Sequence, residues 1–85
     1  MRYRRVSFYV EWKDVADVDA VRDILYRNGI NTVDTDDETD LKRTPSLSSR
    51  YENTIFRFRM SRKESAIGLL TEVAMHPRVY SVSEI

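Results

Sequence analysis

The sequence contains no cysteine, which excludes disulfide scaffolds, cysteine-ligated zinc sites and thiol catalysis. A single histidine, His76, excludes metal sites built from several imidazoles. The only two glycines, Gly29 and Gly68, cannot form a glycine-rich loop of the kind that holds phosphate groups. These absences argue against most classes of enzyme, so we expect neither catalytic residues nor a cofactor.

An excess of charge of one sign is also absent, because 14 Lys and Arg balance 14 Asp and Glu. This balance disfavours a globally basic nucleic-acid-binding domain, although it is compatible with a local basic patch. No apolar run approaches the roughly 18 residues that a bilayer-spanning helix needs, and the first residues predict no signal peptide. With 41% hydrophobic residues, the chain is predicted to form one cytoplasmic domain over residues 1–85, without direct insertion into a membrane.

Two segments alternate apolar and polar residues with a period of two, which predicts strands with one buried face. They cover residues 4–12 and 51–60. Two shorter strands are predicted at residues 30–35 and 79–85. The predicted buried positions of the two longer strands are Val6, Phe8, Val10, Trp12, Phe56, Phe58 and Met60.

Apolar residues at helical spacing predict a first helix over residues 18–27. Asp14 or Asp17 is expected to accept hydrogen bonds from its free amides, and Gly29 is expected to end it in a left-handed conformation. Residues 36–49 show no apolar period and contain a proline, so this segment is predicted to be a flexible loop. An alternative is that the second strand continues into its first residues.

A second helix is predicted after Ser61 and Glu64, whose spacing matches a capping box, and it should stop before Pro77. Its predicted buried stripe consists of Ala66, Ile67, Leu70, Val73 and Ala74. The predicted order is then strand, helix, strand, strand, helix, strand. Two such halves imply an α+β fold of the ferredoxin-like type, with a four-stranded antiparallel sheet and both helices on one face.

Three segments within this pattern carry a resemblance to a known family. Residues 28–31, Asn-Gly-Ile-Asn, resemble the helix-to-strand junction of ACT-like regulatory domains. Residues 51–59 and 76–85 are similar to the third strand and the ending of the C-terminal cytosolic domain of MgtC/SapB membrane proteins. The loop at residues 13–17 lacks the glycine that amino-acid-binding ACT domains carry near their ligand.

The resemblance implies a non-catalytic, ACT-like regulatory domain on the cytosolic face of a bacterial inner-membrane protein linked to magnesium limitation and virulence. Its partner would be the attached membrane domain or another protein. One alternative is a domain that senses a small ligand, either an amino acid or Mg²⁺. A further alternative is a plait that binds single-stranded RNA, because the RNA-recognition module has the same order of elements.

The sheet face that the helices leave uncovered is the predicted interaction surface. Arginines interleaved with aromatic residues on this face could pair with acids across strands, dock a protein, or bind nucleic acid, of which we expect the last least. A homodimer through exposed residues of this face is compatible with the same pattern. The candidate interaction residues are Tyr3, Arg5, Tyr9, Ile55, Arg57 and Arg59.

A run of acidic residues offers the oxygen ligands that hard cations prefer. A calcium-binding loop that starts at Asp34 would need glycine at position six and glutamate at position twelve, where the sequence has Thr39 and Pro45. We therefore expect a solvated surface segment, with weak Mg²⁺ binding as its strongest metal chemistry. The candidate ligands are Asp34, Asp36, Asp37, Glu38 and Asp40.

Overall fold

A computed structural model of the chain describes residues 2–37 and 52–85. The described part contains an antiparallel four-stranded sheet, in the order β2-β3-β1-β4, and two helices. The predicted α+β class, with four antiparallel strands and two helices, is therefore confirmed. The elements are β1 (Tyr3–Trp12), α1 (Val18–Arg27), β2 (Asp34–Asp37), β3 (Asn53–Ser61), α2 (Ile67–Ala74) and β4 (Val79–Glu84).

One face of β1 and β3 forms the sheet side of the core, as the alternation predicts. Phe8 and Phe58 meet edge to face at a centroid distance of 5.1 Å, and both are buried. Residues from α1 and α2 belong to the same core cluster, so both helices cover this one face of the sheet. The predicted inward positions of β1 and β3 are all buried: Val6, Phe8, Val10, Trp12, Phe56, Phe58 and Met60.

The first helix has the predicted bounds and the predicted ends. The Asp17 carboxylate accepts a hydrogen bond from the backbone N–H of Ala20 at 3.3 Å, which makes Asp17 the N-cap. Gly29 has a φ of 86°, the left-handed conformation that glycine adopts without steric cost. The Ile30 N–H then donates to the Leu25 carbonyl, and this bond directs Ile30 into the core.

The second strand lies further along the chain than the predicted residues 30–35, so this prediction is wrong in its bounds. Ile30 is buried but lies outside any strand, and β2 consists of Asp34–Asp37. The strand is set by its pairing with β3, because Asp34 stands opposite Arg57. β2 reaches into the start of the predicted loop over residues 36–49, which matches the alternative that the strand continues into it, and residues 38–49 lie outside the described part.

The second helix differs from its predicted start. Ser61 ends β3 opposite Tyr3, and the Glu64 N–H donates to the Ser61 carbonyl within a turn. The predicted capping box is therefore wrong, and α2 begins at Ile67, whose N–H donates to Ser65 Oγ at 3.2 Å.

The predicted buried stripe of α2 is only partly right. Ala66 and Val73 are buried and Leu70 packs partly against the core, but Ile67 and Ala74 are exposed. Leu69, which the prediction left out, is buried. Helical rotation of about 100° per residue turns the two exposed positions away from the face that meets the sheet.

Candidate functional site

The candidate site is the face of the sheet opposite the helices, here called the open sheet face. Strand pairing places Arg5 opposite Arg59, and Ser7 opposite Arg57. On the other side of β3, Asp34 stands opposite Arg57. Since side chains alternate between faces along a strand, this register defines the membership of the face. Its members on β1, β2 and β3 are Tyr3, Arg5, Ser7, Tyr9, Glu11, Asp34, Asp36, Asn53, Ile55, Arg57, Arg59 and Ser61.

The six predicted interaction residues share this face but differ in exposure. Tyr3 has 57% of its surface exposed, and the three arginines are also classed as exposed. Tyr9 is half-buried and already interacts with a neighbouring group. Ile55, which stands between Tyr9 of β1 and Asp36 of β2 in the sheet, is only 8% exposed. Ile55 thus has little surface to offer a partner, and the exposed interaction residues are Tyr3 and the arginines.

One arginine of the face is neutralised within the chain. The Arg57 guanidinium donates to the Asp36 carboxylate, with a distance of 2.7 Å between Nη1 and Oδ2. This agrees with the interpretation in which arginines pair with acids across strands. Both side chains are about half exposed, so the pair stabilises the fold by roughly 1 kcal/mol or less. Its main effect is to occupy Arg57, which leaves the other two arginines as the exposed positive groups.

Arg5 and Arg59 differ from Arg57 because they face each other without a counter-charge. In the part of the chain that the structure describes, no carboxylate oxygen lies within 4 Å of a side-chain nitrogen of either residue. Like charges on directly opposed residues of an antiparallel pair destabilise the sheet. The two arginines therefore form a local positive site on a chain with zero net charge.

A groove lies over this end of the open sheet face. Its volume is about 730 Å³, and Tyr3, Arg5 and Arg59 lie along it together with Asp34. Residues 29–32, the segment between α1 and β2, form another part of its wall. The groove thus combines two unneutralised guanidinium groups, an aromatic ring and a carboxylate.

Of the predicted acidic residues, those that the structure describes do not form one cluster, because β2 places them at different positions. Asp34 and Asp36 share the open sheet face, but Asp36 is occupied by Arg57. Asp37 is the last residue of β2, while Glu38 and Asp40 lie outside the described residues. Within residues 2–36 and 52–85, no three acidic or histidine side chains come close enough together to hold a metal ion.

Sequence reasoning did not assign Asp34 or residues 29–32 to the same site as the arginines. The missing information was the register of β2, because the predicted strand was placed too early. A period of two applied to Asp34 and Asp36 alone would have placed them on one face, which is the signal the sequence does contain.

No protein-family model matches the sequence, and no curated protein matches it. The likeness of residues 51–59 and 76–85 to the MgtC/SapB tail domain is therefore a hypothesis drawn from those segments alone. Among the described residues, neither helix has the length and apolar character needed to cross a bilayer.

Proposed function

We propose that this chain is a non-catalytic regulatory domain that docks a protein partner through its open sheet face. The observation that carries the proposal is the asymmetry of the sheet. Both described helices pack on one face, whereas the other presents Tyr3 and two arginines that have no carboxylate oxygen within 4 Å among the described residues. Tyrosine and arginine are enriched at the energetic centres of protein interfaces because they combine apolar area with directed hydrogen bonds.

The proposed fold is a ferredoxin-like, ACT-like plait. The order of the described elements, strand-helix-strand-strand-helix-strand, supports it, as does the sheet order with β1 and β3 in the centre. In this fold the two helices share one face, and the other face is available for contacts. A homodimer would use the same open sheet face.

The resemblance of residues 51–59 and 76–85 supports a more specific proposal. The domain would be the cytosolic tail of an MgtC-type membrane protein linked to magnesium limitation and virulence. Docking or dimerisation of the tail would then bias the attached membrane part. The membrane part would lie outside these 85 residues.

A second candidate function is the sensing of a small ligand, an amino acid or Mg²⁺. The observation that favours it is Asp34, whose carboxylate has no cationic group within 4 Å among the described residues and lies along the groove. Against Mg²⁺ binding, Asp36 already pairs with Arg57, so the two carboxylates are not both available. A magnesium ion usually keeps several water ligands and is held by one or two carboxylates, so Asp34 alone provides the smallest such set.

Sedimentation equilibrium of the chain, with and without millimolar Mg²⁺, tests docking against the sensing of Mg²⁺. The docking proposal predicts the same molar mass in both conditions, because the described residues hold no cluster of three acidic or histidine side chains that could bind the ion. A Mg²⁺-dependent increase in mass that is lost in Asp34→Asn would contradict the proposal and establish the sensor. Asp23→Asn, at an exposed site on α1, is the matched control, since it removes one carboxylate outside the groove.

A further inference from the structure

We propose that the groove binds a small phosphate monoester that carries an amino group. Arg5 and Arg59 hold the phosphate, and Asp34 faces the amine. The site goes beyond docking and does not depend on it, because its residues would bind such a ligand whether or not a protein partner uses the same face.

The charge of the arginine pair selects the phosphate. Arg5 and Arg59, which have no carboxylate oxygen within 4 Å among the described residues, carry a combined charge of two, and a phosphate monoester carries about −1.5 to −2 at neutral pH. A guanidinium group binds phosphate oxygens through two parallel hydrogen bonds. A phosphate monoester has more acceptor oxygens than a carboxylate, so it can bind both arginines at once. Binding would also remove the repulsion between Arg5 and Arg59.

The size of the groove is compatible with a small molecule. Its volume of about 730 Å³ lies within the range of roughly 300–1,000 Å³ that is typical of small-molecule sites. A phosphate group alone would fill only a fraction of this volume, so there is room for the remainder of the ligand. The exposed ring of Tyr3 and the segment at residues 29–32 border that room.

The Asp34 carboxylate favours a positive charge on the part of the ligand that lies beyond the phosphate. Asp34 stands opposite Arg57, but the Arg57 guanidinium bonds to Asp36, so the Asp34 carboxylate has no cation within 4 Å among the described residues. Asp34 is diagonal to Arg59 across β2 and β3, and the backbones of such residues are about 7–8 Å apart by standard sheet geometry. An amine two or three bonds from the phosphate ester oxygen would reach it. A nucleic acid is disfavoured here, because its next phosphate would meet this carboxylate.

The test is a titration of the full chain with O-phosphoethanolamine, followed by the backbone amide signals in NMR at constant ionic strength. We expect saturable shifts at Arg5, Arg59 and residues 29–34. Arg5→Gln combined with Arg59→Gln should weaken the affinity at least tenfold, whereas Arg27→Gln, an exposed arginine on α1, should leave it unchanged. Shifts that do not saturate, or an affinity equal in both variants, would overturn the site.

The second arm of the test examines the role of Asp34. Asp34→Asn should weaken O-phosphoethanolamine by about two- to fivefold, the range of an exposed ion pair. The same variant should not weaken inorganic phosphate, which has no amine. An equal loss for both probes would overturn the proposed orientation. A single-stranded oligouridylate that binds more tightly than O-phosphoethanolamine would overturn the small-molecule assignment in favour of RNA.

Discussion

Replacing Phe8 by alanine is expected to lower the free energy of unfolding by about 3–5 kcal/mol. Phe8 has no exposed surface, and its ring meets Phe58 edge to face at 5.1 Å. The substitution removes this aromatic contact and leaves a cavity at the centre of β1, between the sheet and the helices. Because small domains have stabilities near the lower end of about 5–15 kcal/mol, the variant should be close to unfolding at room temperature.

The measurement is chemical denaturation followed by circular dichroism. Ile67→Ala is the matched control, because it also removes a large apolar side chain but at a position that is 69% exposed. The control should change the free energy of unfolding by about 0.5 kcal/mol or less. Similar losses in the two variants would mean that the core is not organised around β1 as described.

Replacing Thr54 by valine is expected to cost about 1–3 kcal/mol of stability, although the two side chains have nearly the same shape. The indole N–H of Trp12 donates to Thr54 Oγ1 at 2.8 Å, and both residues are completely buried. Without the hydroxyl, the indole N–H has lost its acceptor in a place that water does not reach. The cost is therefore the desolvation of an unsatisfied donor, which exceeds the net worth of an ordinary hydrogen bond.

Thr54 also takes part in a further interaction, so the single substitution does not isolate the indole bond. A double-mutant cycle with Trp12→Phe does so, because phenylalanine has no N–H to satisfy. We expect Thr54→Val to cost at least about 0.5 kcal/mol less in the Trp12→Phe background than in the parent. Equal costs in both backgrounds would contradict a structural role for this hydrogen bond.

The sequence is sufficient to predict the elements whose pattern is regular and whose face is buried. The alternation over Val6, Phe8 and Val10 determines which side of β1 enters the core, because a shift by one residue would bury polar side chains instead. The first helix can also be predicted from the sequence, since Asp17 and Gly29 are of the residue types that begin and end helices. In these cases local preference and tertiary packing favour the same structure.

The rest depends on contacts between distant parts of the chain. The spacing of Ser61 and Glu64 satisfies a capping box, but Ser61 pairs with Tyr3 in the sheet, and that pairing is a long-range interaction. Likewise, Asp34 and Asp36 have weak strand preference and become a strand because β3 offers Arg57 as a partner.

The candidate site is likewise predicted in part by local pattern and decided in part by long-range contacts. Alternation along β1 and β3 predicts that Tyr3, Arg5 and Arg59 share the open sheet face, and the register agrees. It does not predict which arginine is neutralised, because Asp36 reaches Arg57 only through the register of β2. The positive site at Arg5 and Arg59 is therefore a property of the folded sheet.

The central claim, that the open sheet face is the docking surface, is tested most directly by site-specific photo-cross-linking in the native cells. A photoreactive phenylalanine derivative would replace Tyr3 on the open sheet face or, as the control, Tyr26 on α1. The two tyrosines are similarly exposed, at 57% and 50%, so accessibility alone does not distinguish them. We predict a discrete cross-linked partner from position 3 and none from position 26. Cross-linking from position 26 alone, or from neither position, would contradict docking through this face.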